Sequence, residues 1–389
     1  MARFTIPRDV YYGPDAIEEL KVLKGHKKAI IVTGSNFMIE NQSLEKLTRV
    51  LKENGMEVLV FDKVESNPLI STVYRGAEAM RNYEPDVIVA LGGGSPTDAA
   101  KAMWVFYENP ELKFDDIKTP FSLPKLRKKA IFVAVGTTSG TATEVTSFSV
   151  ITEDETKIKY PIADFEITPD IAIVDTEIPL SMPKNLTADS GMDAITHAIE
   201  AYVATAHTDL TDCLAIKAVQ MVYENLVDSY HESAEARKNV HVGQNLAGMS
   251  FSNALLGIVH SLAHKVGVVY GITHGRCNAI MLPYVIKYNS AVSEDRFADI
   301  ARALGLNGAT NKQLTNSLVK AIQTLNGELG IPLSYQAAGV SEKTFLDTLD
   351  LLAEAAVGDP CTLFNPRETN FENMKKVLTS SYYGTEINF

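Results

Sequence analysis

Histidine is scarce in this sequence, yet three of its eight histidines lie close together and a fourth follows an aspartate by four residues. His260, His264 and His274 fall in the stretch HSLAHKVGVVYGITHG, and Asp193 and His197 fall in GMDAITHAIEAY. Residues four apart share one face of a helix, so each close pair can point to a common centre. Imidazole and carboxylate groups suit a divalent first-row metal such as Fe²⁺ or Zn²⁺. Such a metal, with an open coordination position, can polarise an alcohol or carbonyl oxygen.

Each of these pieces also has an ordinary structural explanation. A single buried histidine is usually a hydrogen-bonded core residue, and an Asp–His pair on a helix is usually a local contact. The concentration of these residues in one part of the chain favours a metal site, but spacing alone leaves open which of the three later histidines bind. The other histidines are predicted to be surface or structural residues: His26, His207, His231 and His241.

A glycine-rich turn joins a predicted strand to a predicted helix in ALGGGSPTDAAKAMW. Gly93 and Gly94 would let the backbone approach a pyrophosphate, and the N–H groups from Ser95 onward, at the helix start, attract anions. Asp98 could cap this helix or bond a cofactor group. The spacing matches neither G-x-G-x-x-G nor a P-loop, so a plain tight turn is an equal alternative.

A second polar loop, VGTTSGTATEVTS, follows another buried strand and carries Thr137, Thr138 and Thr141. Hydroxyl groups at the carboxyl end of a strand can bond phosphate, ribose or amide groups, although such residues also cap ordinary turns. Two such loops in one sheet favour a nucleotide site.

The predicted strand IIVTGSN ends in Gly34, Ser35 and Asn36. Dinucleotide folds often place an acid here to bond the ribose 2′-hydroxyl. Because no carboxylate is present, a 2′-phosphate would meet no repulsion, and NADP(H) is favoured over NAD(H).

The hydrophobic pattern predicts two domains that would position these residues. From 1 to 183, β-branched runs such as PDVIVALGGGS alternate with helical stretches, which predicts an α/β domain with a Rossmann-like parallel sheet. From 184 to 389 helical patterns dominate, which predicts an all-α metal-binding domain. Pro179 and Pro183 mark the boundary, since proline resists helix continuation. We expect the active site in the cleft between the domains.

Composition excludes several classes of function. The chain of 389 residues has a net charge of −12, which argues against nucleic-acid binding. No apolar run approaches the roughly 18 residues that span a bilayer, so we expect no membrane partner. Three distant cysteines argue against a disulfide framework and predict a cytoplasmic protein.

The motifs together resemble the iron-containing (group III) alcohol dehydrogenase family. GGGSPTDAAK, TTSGTATEVT, GMDAITHAIEAY, HSLAHKVGVVYGITHG and NPR at 365–367 occur in family order over nearly the whole chain. The resemblance implies that four residues bind the metal: Asp193, His197, His260 and His274. It implies Fe²⁺, with Zn²⁺ as the alternative, and places His264 beside the open position and the nicotinamide.

The resemblance also implies a cofactor site. Its predicted residues are Gly93, Gly94 and Ser95 at the pyrophosphate with Asp98 nearby, Thr137, Thr138 and Thr141 along the cofactor, and Lys159 near the ribose. Asn67 matches a residue near the cleft. Two departures stand out: Gly136 replaces the proline that usually begins the threonine loop, and Gly34 replaces the acid of NAD-preferring members.

The implied reaction interconverts a primary alcohol and its aldehyde, of the butanol/butanal type, by hydride transfer with NADP(H). Asp193 and His264 are the predicted catalytic residues, the latter as a proton relay or as a group that orients a ribose hydroxyl. A homodimer or higher homo-oligomer is implied, with the N-terminal segment RFTIP as a possible contact strand. The alternatives are a glycerol dehydrogenase-like or dehydroquinate synthase-like enzyme, a non-haem iron oxygenase, and a cofactor-binding protein without activity.

Overall fold

The computed structural model describes residues 3–34 and 43–389. The chain divides into two compact units between Ser181 and Met182, whereas the prolines predict a boundary after residue 183. The first unit contains the parallel sheet, and the second is helical.

The N-terminal unit is a six-stranded parallel sheet with helical connections. Its sheet strands are β1 (Asp9–Gly13), β2 (Lys28–Val32), β3 (Glu57–Phe61), β4 (Val87–Gly92), β5 (Ile131–Gly136) and β8 (Ile171–Asp175), in the order β1-β8-β5-β4-β2-β3. Strands β6 (Phe148–Thr152) and β7 (Lys159–Ala163) form a separate antiparallel hairpin. The helices are α1 (Ser43–Glu53), α2 (Ile70–Tyr83) and α3 (Gly94–Glu108). The predicted α/β class is confirmed.

Burial explains why these short runs form strands. All six residues of β4 are buried, as expected for an inner strand of a parallel sheet covered on both faces. Helix α3 packs against this layer and is buried along almost its whole length, with Trp104 stacked on Phe132 of β5 at 5.1 Å between ring centroids. The glycine-rich turn at the start of α3 is therefore fixed to a rigid layer.

The N-terminal end of the sheet differs from the prediction. The segment RFTIP, suggested as a strand, forms no strand within this chain, and the first strand, β1, was not predicted. That edge strand is only partly buried, and β7 contains a proline, so neither has the buried β-branched pattern of β2 or β4.

The C-terminal unit is all helical, as predicted. Its helices are α4 (Lys184–Val203), α5 (Asp209–Tyr230), α6 (Ala234–Ala254), α7 (Ile258–Tyr270), α8 (His274–Ala303), α9 (Asn311–Glu328), α10 (Glu342–Val357) and α11 (Phe371–Tyr383). Helix α4 is buried from Thr187 to Val203 and packs against α5, α6 and α8. A helix surrounded by others can aim polar side chains into an enclosed site.

A tight turn brings α7 and α8 back towards each other. Gly271 ends α7 with φ of +67°, a left-handed conformation that glycine adopts without a steric penalty. Helix α8 then begins at His274.

In the part of the chain that the structure describes, no single helix has the length and apolar character to cross a bilayer. Helices α6 and α7 meet these criteria only when taken together, and they are bent by 107° relative to each other.

Candidate metal and cofactor sites

Helix α4 carries the first pair of predicted ligands on a buried face. Asp193 is 3% exposed and His197 is 5% exposed. The helical repeat also places Glu200 on this face, three residues after His197. A carboxylate in such surroundings needs cationic or hydrogen-bonding partners, because burying an unpaired charge is costly.

Asp193 lies at the centre of the predicted ligand set. Its Oδ1 is 3.5 Å from His274 Nε2, 3.7 Å from His260 Nε2 and 3.9 Å from His197 Nε2. A tetrahedral ion with ligand bonds of about 2.1 Å holds its ligand atoms about 3.4 Å apart, so these separations fit one divalent ion after small movements. The donor set therefore fits the expected metal.

The four residues are not equally close to one another. Ligand atoms of Asp193, His260 and His274 all lie within 4.8 Å of one another. His197 joins this group through Asp193, and its ring stacks on that of His260 with 4.5 Å between centroids. His197 also stacks on Phe251, with 4.2 Å between ring centroids, which gives the site an apolar wall.

The electrostatics of the cluster favour an anionic Asp193. Burial by itself would raise the pKa of this carboxyl, but the surrounding imidazoles hold the pKa well below its usual range. Burial would lower the pKa of His260, yet the nearby carboxylates of Asp193 and Glu200 raise that pKa to about 9. The site thus attracts positive charge.

His264 lies beside the cluster and outside the group formed by Asp193, His260 and His274. Its ring stacks on that of His274, with 5.4 Å between centroids and 13° between planes. Its Nδ1 lies 3.1 Å from Oδ2 of Asp359, which also accepts a bond from Lys265 Nζ at 2.9 Å. Desolvation opposes ionisation of Asp359, but His264 and Lys265 keep its pKa well below the usual range. His264 is therefore oriented by a carboxylate and leaves Nε2 free for another partner.

Sequence reasoning missed three polar residues around the cluster. Asn278 Nδ2 lies 2.7 Å from Asp193 Oδ1 and within 3.2 Å of Nε2 of both His260 and His274. Glu200 bonds His260, and Asp359 bonds His264. Helical spacing could have found Asn278, four residues after His274, and Glu200. No local signal points to Asp359, which is about a hundred residues from its partner.

In the N-terminal unit, the glycine turn and the threonine loop contact each other. Gly93 precedes α3, and no side chain caps the helix start. A Cβ at Gly93 would lie 2.8 Å from Thr138 Oγ1, and a Cβ at Gly94 would lie 3.4 Å from Thr141 Cγ2. Because these glycines have no side chains, uncapped backbone N–H groups lie beside the hydroxyl groups of Thr138 and Thr141. This arrangement fits a pyrophosphate.

The prediction that Asp98 caps α3 is wrong, because the residue lies beyond the first turn and the cap position is Gly93. Asp98 is buried beside Lys101 and Lys159 and bonds the backbone of Val150. Burial raises the pKa of Asp98 and lowers that of Lys101, against their mutual attraction. Desolvation also lowers the pKa of Lys159, although Asp98 acts in the opposite direction.

Lys101 anchors the threonine loop through hydrogen bonds to its backbone. The side chain is fully buried, and Nζ donates to the carbonyl oxygens of Thr143, Thr146 and Phe148 at 2.7 to 2.9 Å. The space at Gly136, where the resemblance implies a proline, is filled by Glu144, whose carboxylate would lie 2.8 Å from a Cβ there. The loop is thus held by the buried Lys101, and the buried Glu144 fills the space beside Gly136.

The remaining predicted cofactor residues have mixed outcomes. Ser35 and Asn36 lie outside the described residues. At Gly34 a Cβ would lie 1.9 Å from the carbonyl oxygen of Val64, so the backbone leaves no room for an acidic side chain.

Ser95 Oγ accepts a hydrogen bond from the N–H of Asn67 at 3.2 Å, which joins those two residues. Thr137 is buried, and its N–H donates to the carbonyl oxygen of Gly92.

Comparison with known proteins gives full-length matches. Residues 7–176 match the family model of iron-containing alcohol dehydrogenase, and residues 187–382 match that of the Fe-containing alcohol dehydrogenase family, C-terminal. The NADPH-dependent butanol dehydrogenase of Clostridium saccharobutylicum is 55% identical over 389 residues, covering 100% of both chains.

Solved structures agree with these matches. A 1,3-propanediol oxidoreductase superposes with a TM-score of 0.92 at 34% identity, covering 98% of this chain and 100% of its own. The iron-containing alcohol dehydrogenase of Thermococcus thioreducens gives a TM-score of 0.91 with the same identity and coverage. The chain therefore belongs to the iron-containing alcohol dehydrogenase family.

Proposed function

We propose that this alcohol dehydrogenase interconverts a primary alcohol and its aldehyde, of the butanol/butanal type, with Fe²⁺ and NADP(H). The observation that carries the proposal is the convergence of Asp193 with the imidazoles of His197, His260 and His274. The substrate and cofactor are supported by the relative that is an NADPH-dependent butanol dehydrogenase.

When bound, the metal supplies a Lewis acid for the substrate oxygen and the nicotinamide exchanges hydride with the substrate carbon. Asp193 contributes the negative charge of the ligand set, because its pKa is held low. Phe251, stacked on His197, restricts water on one side and offers an apolar surface that suits an aliphatic substrate.

His264 is proposed to transfer the proton that accompanies hydride transfer. If its Nδ1 donates to Asp359, Nε2 keeps a lone pair that can accept a proton from an alcohol or return one to an aldehyde oxygen. The alternative role, orientation of a ribose hydroxyl, needs the same nitrogen and no change in its protonation.

The N-terminal unit is proposed to bind NADP(H) through the glycine turn and the threonine loop. Gly93, Gly94 and Ser95 would bond the pyrophosphate. The loop hydroxyls of Thr137, Thr138 and Thr141 would line the cofactor, and Lys159 with Asp98 would lie near the ribose. The backbone contact between Gly34 and Val64 supports NADP(H), because it excludes the acid that would repel a 2′-phosphate.

The alternatives are less well supported. A non-haem iron oxygenase commonly uses two histidines and one carboxylate, whereas three imidazoles surround Asp193 here. Family membership likewise favours a dehydrogenase over an inactive cofactor-binding protein. Zn²⁺ suits the same donors as Fe²⁺, so metal analysis must decide between them.

The test is reduction of butanal by protein purified without oxygen and loaded with either Fe²⁺ or Zn²⁺. We expect consumption of NADPH to exceed that of NADH and to require the metal, with Fe²⁺ the more active ion. Absence of NADPH consumption with every short aliphatic aldehyde would overturn the proposal. Faster turnover with NADH would overturn only the cofactor preference.

We also propose a cytoplasmic homo-oligomer. All three cysteines are free, which fits a reducing compartment. Light scattering of the purified protein gives the oligomeric state, and a monomer at all concentrations would contradict this part.

A further inference from the structure

Glu200 is a buried carboxylate next to the metal cluster. Its side chain is 3% exposed. Oε2 lies 2.5 Å from His260 Nδ1, and Oε1 accepts a bond from the N–H of Val259 at 2.7 Å. Both partners belong to the first turn of α7, whereas Glu200 belongs to α4.

We propose that Glu200 is a positioning residue that fixes His260 in the tautomer able to bind a metal. The inference rests on the proposed role of His260 as a ligand. Glu200 would hold the proton of the imidazole on Nδ1 and leave the lone pair on Nε2, which faces Asp193 Oδ1 at 3.7 Å.

The hydrogen bonds leave one consistent arrangement. A backbone N–H can only donate, so Val259 uses one oxygen of Glu200. The second carboxylate oxygen of Glu200 is an acceptor, and His260 Nδ1 lies within hydrogen-bond distance of it. Histidine ligands commonly donate their second N–H to a carboxylate, which sets the tautomer and ring orientation.

The NPR motif at 365–367 holds the same helix start. Gly257 occupies the N-cap position of α7 and, as a glycine, has no side chain that could cap the helix. Instead, Asn365 Oδ1 accepts a bond from the N–H of Ile258 at 3.3 Å, beside the bond of Glu200 to the next N–H. A Cβ at Gly257 would lie 2.9 Å from both Asn365 Oδ1 and Glu200 Oε1. The two remote side chains thus set where α7 begins and where His260 points.

The test is Glu200→Gln, which keeps the shape but replaces one acceptor by a donor. The amide oxygen must take the N–H of Val259, which turns the NH₂ group towards His260 Nδ1. The imidazole proton would then move to Nε2 and block the metal position. We expect Co²⁺ affinity, measured by competition with a chelator, to fall about 10- to 100-fold.

Glu108→Gln is the matched control. Glu108 is equally buried and accepts bonds from the backbone N–H groups of Lys128, Lys129 and Ala130, but it contacts no histidine. This variant should lose stability without losing Co²⁺ affinity. Equal affinity of wild type and Glu200→Gln would overturn the proposal.

A second measurement does not depend on metal binding or on the variant folding. Nitrogen NMR of histidine-labelled, metal-free wild-type protein, at a pH where the His260 signals show a neutral ring, reports which nitrogen keeps the proton. We expect Nδ1, and finding the proton on Nε2 would overturn the role of Glu200. If wild type binds no Co²⁺, the proposed metal site fails, but the NMR result still decides the tautomer.

Discussion

The two candidate sites are built in opposite ways. In the C-terminal unit, the proposed metal chemistry would depend on side chains that are present: one carboxylate and three imidazoles supplied by α4, α7 and α8. In the N-terminal unit, the proposed cofactor binding would depend on side chains that are missing, at Gly34, Gly93 and Gly94. Removing atoms should therefore damage the first site, whereas adding atoms should damage the second.

The largest effect is expected from Asp193→Asn, which removes the charge at the centre of the ligand set. Loss of the metal removes several kcal/mol of transition-state stabilisation, so turnover should fall about a thousandfold or more. Metal content measured by mass spectrometry should fall in parallel. The control Asp164→Asn changes a buried capping carboxylate in the other unit and should retain the metal. A metal-loaded, active Asp193→Asn variant would contradict the ligand assignment.

The second effect tests the support beneath the threonine loop. Lys101→Met leaves three buried carbonyl groups without their donor and removes one of the two lysine charges beside the buried Asp98. Removing one partner of a buried charge pair typically costs about 3–5 kcal/mol in the free energy of unfolding. Trp104, the single tryptophan, is buried in the same helix, so its fluorescence during urea unfolding reports on this unit.

The control for this measurement is Arg49→Met, which removes exposed ion pairs and should change the unfolding midpoint little. Equal midpoints for the two variants would show that the buried lysine is not needed to hold the loop.

A smaller loss is expected for His264→Ala, which removes a side chain next to the ligand set without removing a ligand. Metal content should stay the same, and turnover should fall about a hundredfold if the imidazole transfers a proton. His231→Ala, at an exposed position, serves as the control. Turnover that is unchanged at every pH would exclude the proton-transfer role and leave only orientation.

The smallest effect is expected from Gly94→Ala, which adds one methyl group to the other site. Its Cβ meets Thr141 at an ordinary contact distance of 3.4 Å, so folding should be unaffected. The methyl group would hinder approach of the pyrophosphate, and we expect the KM for NADPH to rise on the order of tenfold, the value of one or two hydrogen bonds. An unchanged KM would show that the pyrophosphate does not bind at this turn.

Sequence patterns predicted the parts of the fold with strong local periodicity. Strands β2 and β4 have buried, β-branched sequences, and the helices of the C-terminal unit have apolar residues at the helical period, so the fold class of each unit could be predicted. The spacing of Asp193 and His197 indicated one half of the metal site. Which later histidines complete it came from the family resemblance, because ten residues and a turn separate His264 from His274.

Contacts between distant segments could not be predicted. Asp359 reaches His264, and Asn365 reaches Ile258, across about a hundred residues of chain. The Gly34 contact with Val64 depends on two strand ends meeting in the sheet. Such contacts follow from the packing of whole elements, which no local pattern encodes.

The anchoring of α7 by Asn365 also affects biosynthesis. Domains generally fold as units, N-terminal first, as the chain is made. The sheet unit ends at Ser181 and can form early. The predicted metal cluster, in contrast, joins residues from 193 to 274 and relies on the anchor at Asn365. We therefore expect metal uptake to follow synthesis of the segment around Asn365, after the ligand residues themselves have been made.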